Sequence, residues 1–422
     1  MKKRKNVLFY KHSKMGRAKL AAKCLAMTGI YALFAALAWL GWLYQSLPDT
    51  IYVEQGEAIS IARLPYVSVL RDSGGVAMAG STTQVGSYNV TLSVGGVIPI
   101  KTVRTIVTDR PVVTVCGTPF GIKILSQGAL VVGFTELSTA EGAVCPAKDA
   151  GLAMGDLIIS MNGQDTSTNE DVAAAVEGSN GEAVTVVYTR DEIQYTTQLT
   201  PVQSATGKWM AGLWVRDSSA GVGTMTFVDE STGVFAGLGH SISDSDTGES
   251  FTLRSGEIMD CEITDYQPGS AGSPGSLEGQ FVGAYAIGSV SINGDTGIYG
   301  TTRTDFEGQE MEIAFAQEVE LGAAEIWTTI DGQTAAAYAV EITSISYSDD
   351  TRNLVIQVTD EALLAQTGGI LQGMSGSPII QNGRLVGAVT HVFVNDPTCG
   401  YGIFVETMLE TAEEVEELAE AS

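Results

Sequence analysis

Toward the end of the chain a serine stands in a glycine frame, Gly373-Met374-Ser375-Gly376-Ser377-Pro378. Glycine on both sides lets the backbone turn tightly enough to present a hydroxyl while neighbouring N–H groups converge on one point. Acyl transfer needs that combination, because the attacked carbonyl becomes an oxyanion that donors must stabilise as it forms. A serine hydroxyl is a poor nucleophile at neutral pH, so a base has to stand beside it. The chain holds three histidines. His12 falls in a basic leader, which leaves His240, in Gly237-Leu238-Gly239-His240-Ser241-Ile242-Ser243-Asp244, and His391, in Val389-Thr390-His391-Val392-Phe393. A buried carboxylate accepting from the imidazole would fix its tautomer and stabilise the imidazolium. Asp244, Asp260, Asp265 and Asp360 compete for that place.

Other chemistry finds less support. Ala271-Gly272-Ser273-Pro274-Gly275 also looks like a serine loop, but it lacks the second glycine frame and follows Tyr266-Gln267-Pro268-Gly269, so it reads as a β-turn. With no C-x-x-C pair and no H-E-x-x-H, a metal site is not expected. Walker A and dinucleotide fingerprints are missing too, so the chemistry is expected to need no cofactor. Cys24 lies in an apolar run; Cys116, Cys145, Cys261 and Cys399 are widely spaced and allow three pairings if all four are oxidised.

The elements that must carry this chemistry are bounded by composition. A chain of 422 residues with 44% hydrophobic residues suggests two or three domains with sizeable cores, which excludes disorder as the main state. There are 23 Lys and Arg against 49 Asp and Glu, and the pI near 4.3 excludes a nucleic-acid binder that works by bulk charge. The net charge of −26 is unevenly placed. Residues 1–48 carry nine basic groups and no acidic one, so the rest of the chain holds 14 against 49, a net of −35. Between Cys24 and Tyr44 no residue is charged, and Trp39, Trp42 and Tyr44 gather toward its far end. About 20 helical residues cross a bilayer core, and a basic flank stays in the cytoplasm. We read 1–23 as a cytoplasmic basic segment and 24–44 as a transmembrane signal anchor, with the body exported. A cleaved signal peptide is the competing reading; its apolar stretch is usually shorter, about 7–15 residues, and ends in a small-residue cleavage site.

The body divides into three. Residues 50–107 alternate, as in Tyr88-Asn89-Val90-Thr91-Leu92-Ser93-Val94 before Gly95-Gly96, and predict a small β-rich spacer. Residues 108–200 carry Thr118-Pro119-Phe120-Gly121-Ile122, a strand at Gly128–Val132, Pro146-Ala147-Lys148-Asp149-Ala150-Gly151-Leu152, and Gly155-Asp156-Leu157-Ile158-Ile159-Ser160-Met161-Asn162-Gly163, with a second helix from Asn169 to Val176. This order resembles a PDZ domain of the bacterial protease-associated type. The resemblance implies that an extended peptide adds to a sheet edge, with Phe120, Gly121 and Ile122 as the loop receiving its carboxylate. Residues 202–422 show many short strands and Gly-rich turns. Met408, Ala412, Val415 and Ala419 fall on one face of a final helix whose solvated face carries Glu410, Glu413, Glu414, Glu416, Glu417 and Glu420.

The frame around Ser375 resembles the nucleophile loop of chymotrypsin-like serine peptidases. On that resemblance Ser375 attacks, and the amides of Gly373 and Ser375 form the oxyanion hole. Histidine precedes serine in that chain order, which favours His240 as base and leaves His391 as a strand residue lining the cleft. Asp360, between the two, is the expected carboxylate, although 15 residues to the serine is a short interval for such enzymes. The expected fold is mainly β: transmembrane helix, spacer, PDZ domain, and a chymotrypsin-like double β-barrel with a C-terminal helix.

The whole plan resembles the stage IV sporulation protein B family. Gly239-His240-Ser241-Ile242-Ser243-Asp244 carries the likeness, and so does the run from Thr367 through Gly373-Met374-Ser375-Gly376-Ser377-Pro378 to Thr390-His391-Val392-Phe393-Val394-Asn395-Asp396-Pro397. Departures are Ser241, where glycine is expected after the histidine, and Cys399. The resemblance implies a membrane-anchored serine endopeptidase in the forespore membrane, with its catalytic part in the intermembrane space, open to release by cleavage. Its protein substrates would be itself and a membrane-bound regulator that restrains an intramembrane metalloprotease, leading to late sigma factor activation. Nucleic acid is not among the expected partners. Two other readings stand beside it, an envelope quality-control PDZ protease and a catalytically inactive PDZ adaptor.

Overall fold

The computed structural model describes residues 2–70, 86–139 and 142–420. It divides into two compact units, 1–109 and 110–422.

The first unit opens with the helix Lys2–Gln45, of which Ala22–Gln45 has a mean hydropathy of 1.8 and is long and apolar enough to cross a membrane. Its spacer is a four-stranded sheet in the order Thr50–Val53, Ile98–Val107, Gly86–Val94, Val67–Val69. Alternation buries Val90, Leu92 and Val103 around Leu43, Leu47 and Ile51. Residues 71–85 of the expected spacer lie outside the described residues.

The second unit is built from two barrels and a PDZ sheet. One barrel closes in the order Gly322–Thr328, Ala336–Ile345, Leu354–Val358, Asp396–Phe404, Arg384–Phe393, Pro378–Gln381, around Ile326, Ile342, Ile356, Ile379 and Met374. The other arises inside a larger sheet. Pro119–Phe134 pairs with Leu253–Gln267, and the pairing runs on through Ser276–Gly294, Gly297–Thr302, Val234–Gly237 and Leu213–Asp229. Leu213–Asp229 then pairs back to Pro119–Phe134, which completes a ring around Phe120, Ile122, Phe235 and Ile258. Two barrels of short antiparallel strands, with the helix Val405–Glu420 packed on them, make a chymotrypsin-like architecture. Met408, Ala412 and Val415 are buried as their spacing predicts, whereas Ala419 is exposed.

Two strands leave the ring and enter the PDZ sheet. Pro119–Phe134 pairs at Ala129 and Leu130 with Leu157–Met161, which continues to Val184–Arg190 and Ile193–Leu199. Leu213–Arg216 pairs with 130–134 on the same sheet. Thr168 caps the helix Asn169–Gly178 in a reciprocal box with Asp171. Pro119–Phe134, before residue 200, thus has its first half in the ring, and Leu213–Asp229, after residue 202, has its first residues beside the PDZ strands, all within one continuous sheet. All five cysteines are free thiols, so none of the three pairings forms here.

Candidate active site

The loop of Ser375 hangs between the closed barrel and the ring. Met374, fully buried, anchors it, and its Sδ accepts from the Leu371 N–H at 3.3 Å. The strand Leu213–Asp229 holds the other side. Thr224 donates its hydroxyl to the Gly373 carbonyl at 2.9 Å and its N–H to the Ser375 carbonyl at 3.0 Å, and the Thr226 hydroxyl donates to the Gly376 carbonyl at 2.7 Å. Gly373 and Gly376 lie at φ +100° and +93°, a region that costs other residues strain.

This arrangement leaves two amides unused. The N–H groups of Met374, Gly376 and Ser377 donate to Leu371, Val389 and Met374 carbonyls. Those of Gly373 and Ser375, the expected oxyanion donors, donate to no protein acceptor among the described residues. Donors held in place without an intramolecular partner are what an oxyanion site requires.

His240 and His391 come together from opposite barrels, with ring centroids 4.6 Å apart. Leu238 and Gly239, both at positive φ, turn the chain so that His240 meets Thr390 and His391; a Cβ on Gly239 would stand 2.9 Å from the Thr390 methyl. The Ser375 hydroxyl is tied to the same place, donating to the Thr390 carbonyl at 2.6 Å. A turn about the serine χ1 is thus needed to redirect its proton to an imidazole. Burial lowers the His240 pKa, partly offset by the Ser241 carbonyl 2.7 Å from Nδ1. Desolvation drives His391 down to about 4, helped by His240 and Arg352. Both rings are therefore neutral near pH 7, the state a general base needs.

In this structure Asp360 N-caps the helix Glu361–Thr367, accepting from the Leu363 N–H at 2.9 Å, and the acceptor 2.7 Å from His240 Nδ1 is the Ser241 carbonyl. A strand-to-helix junction needs a cap acceptor at that position, and the carboxylate serves it. Phe120, Gly121 and Ile122 form no open peptide edge. They sit in the ring, paired on one side with Gly223, Val222 and Gly221 and on the other with Asp260, Met259 and Ile258. The strand edge beside the PDZ helix is instead that of Leu213–Arg216, which pairs on one side only among the described residues; nearby, the Asn169 N–H reaches Asp217 Oδ2 at 2.9 Å. Of the other carboxylates, Asp260 is exposed, and Asp244 is buried in the loop after His240. The decoy at Ser273 is the expected turn, bonded both ways to Ser270.

Sequence reasoning missed Thr224 and Thr226, which hold the Ser375 loop, and Asn293. The Asn293 side chain accepts from the Ile242 N–H at 2.7 Å and donates to the Ile242 and Phe251 carbonyls, clamping the segment after His240. None has a local signature, because threonine in a strand and asparagine at a hairpin are ordinary.

Residues 207–409 match the family model of the SpoIVB peptidase S55, and residues 138–190 match that of a PDZ domain. No curated protein matches the chain significantly. One similar solved structure is an inactive serine-to-alanine mutant of Rv3671c from M. tuberculosis H37Rv, 14% identical, covering 46% of this chain and 82% of that one at a TM-score of 0.25.

Proposed function

Over residues 207–409 the chain belongs to the SpoIVB S55 peptidases and it bears a PDZ domain, and from this we propose that it is a membrane-tethered signalling endopeptidase. Ser375 is the nucleophile, His240 the base that takes its proton, and the amides of Gly373 and Ser375 the oxyanion donors. The observation that carries this assignment is the pair of unpartnered N–H groups beside a serine whose hydroxyl is anchored next to two neutral imidazoles. In the acylation step the serine oxygen forms a bond to the scissile carbonyl carbon, its proton passes to His240 Nε2, and the imidazolium then protonates the leaving amine. Water repeats the sequence on the acyl-enzyme.

The apolar helix Ala22–Gln45, with its basic flank, supports an anchored protein whose body is exported. The substrates we propose are the chain itself, near its N-terminus, and a membrane-bound regulator that restrains an intramembrane metalloprotease. The PDZ domain recruits them, and the outcome is activation of a late sigma factor in sporulation. N-terminal sequencing of the mature protein from cells, compared with Ser375→Ala, tests this. The wild type should gain a new N-terminus beyond the anchor that the variant lacks. Identical termini, together with no fluorophosphonate labelling of either protein, would leave a PDZ adaptor as the better reading.

A further inference from the structure

The strand Leu213–Asp229 has a different task at each end. Near its start, Leu213–Arg216 borders the PDZ helix; farther along, Thr224 and Thr226 hold the Ser375 loop. Between them Arg216 points its guanidinium at the segment that follows the catalytic histidine. Its Nη1 donates to Asp244 Oδ2 and its Nη2 to Asp246 Oδ2, the latter at 2.8 Å.

Asp244 is the hub of that segment. Its side chain is completely buried, and Oδ1 accepts from the Asp246 N–H at 3.0 Å, the Thr247 N–H at 2.9 Å and the Thr247 hydroxyl at 3.1 Å. Its backbone closes the loop through Asp244 N–H to the Glu249 carbonyl and Gly248 N–H to the Asp244 carbonyl, both at 2.8 Å. Two residues back, Ile242 is clamped by Asn293, and two more residues back is His240. A buried carboxylate without a cation is costly, and the cation paired with this one is Arg216. Removing it leaves a buried charge at the centre of the loop, which must take up a proton or move, and either change alters the contacts that fix the loop. The guanidinium fork spans two carboxylates at once, so it fixes orientation as well as charge.

We propose that Arg216 is a positioning residue of the peptidase, which holds the His240 loop in place through Asp244 and so sets the seat of the base from the strand that borders the PDZ helix. This rests on His240 being the base. The backbone of the Ser375 loop and the segment after His240 are then both held by one strand, from Thr224 and from Arg216.

The test uses the full-length chain in detergent micelles, with steady-state cleavage of a fluorescent casein. Arg216→Met keeps the length of the stem and removes the charge; kcat should fall about tenfold or more while KM stays within about twofold. Arg216→Lys should recover most of the loss, because a cation at the same place restores the pairing. Asp244→Asn should match Arg216→Met, and the double variant should fall no further than the worse single one, as expected for groups acting as one unit. Should Arg216→Met fail to fold, Asp246→Asn removes only the exposed half of the fork and should lower kcat about threefold with an unchanged melting temperature. Wild-type kcat in Arg216→Met or in Asp246→Asn, or losses that multiply in the double variant, would overturn the proposal. Ser375→Ala runs alongside. If the wild type cleaves no faster than it does and a fluorophosphonate probe labels neither, the peptidase assignment falls and takes this proposal with it, an outcome distinct from an active wild type that tolerates the loss of Arg216.

Discussion

A Cβ on Gly376 would stand 2.0 Å from the Thr224 carbonyl oxygen and 2.5 Å from Leu238 N, both backbone atoms with nowhere to go. At φ +93° the added methyl is strained as well. Gly376→Ala should therefore cost on the order of 3 kcal/mol and abolish fluorophosphonate labelling. A variant within about 1 kcal/mol of wild type by urea unfolding that still labels would refute this reading of the loop. The pH profile follows from His240. Burial depresses its pKa below the ordinary 6.5, so its neutral, base-competent form persists to lower pH. The acid limb of kcat/KM should accordingly fall below pH 6.5; a limb at or above that value would mean that the imidazole is not buried in the working enzyme. The turns that present Ser375 and His240 were legible in the sequence because glycines flanking a serine, and a histidine after Gly-Leu-Gly, record local backbone demands. The role of Asp360 was not legible. A carboxylate at the end of a strand is equally apt as an N-cap or as a triad member, and only the position of the imidazole decides.

Elements show the same division between local and tertiary information. The helix Glu361–Thr367 depends on its cap, so Asp360→Ala should lower stability by about 0.5–2 kcal/mol, and Asp360→Asn, which can still accept the Leu363 N–H, should restore most of it. Equal denaturation midpoints for the alanine and asparagine variants would count against the capping role. The helix Val405–Glu420 carries a sharper device. Burial pushes Glu406 up to about 8, opposed by the Ala316 N–H and reinforced by Glu410 and Glu318. The folded state therefore binds a proton that the unfolded chain gives up near 4.5. Stability from this group is present below the unfolded pKa and is lost as pH rises toward 8. Glu406→Gln keeps the acceptor for Ala316 and removes the titration, so its melting temperature should exceed that of wild type at pH 8, by roughly 2–4 °C per kcal/mol recovered, and converge with it at pH 5. Parallel melting curves across that range would contradict the assignment. The helix itself was legible from the spacing of Met408, Ala412 and Val415. The uncommon glutamate was not, because it stands one turn before a run of glutamates and looks like its first member.

On the scale of the molecule, the sharing of strands decides what can fold alone. A cut at the boundary drawn from the PDZ resemblance, giving residues 202–422, would remove Pro119–Phe134 and Val112–Val115. The ring would lose a member, and Leu213–Asp229 and Leu253–Gln267 would each lose the partner they hold over 119–126. Phe120, Ile122 and Ile124, all within 2% of full burial, would leave the core of that barrel empty on one side. Two unpaired edges beside an apolar gap favour aggregation over a smaller native state. The fragment 202–422 should accordingly be insoluble or melt without cooperativity, whereas 110–422 should give a single cooperative transition and retain fluorophosphonate labelling at Ser375. A fragment from 202 that melts cooperatively within a few degrees of the longer one would show that the ring closes without its first strand. Local pattern could not reveal this dependence, because the PDZ wording around Gly128–Asn162 and the short apolar stretch before it read as one continuous domain. What separates them is the pairing of Phe120 with Gly223 and Asp260, more than a hundred residues away in the chain. The same pairing places the PDZ sheet and the catalytic loop on common strands, so a working peptidase domain must include both.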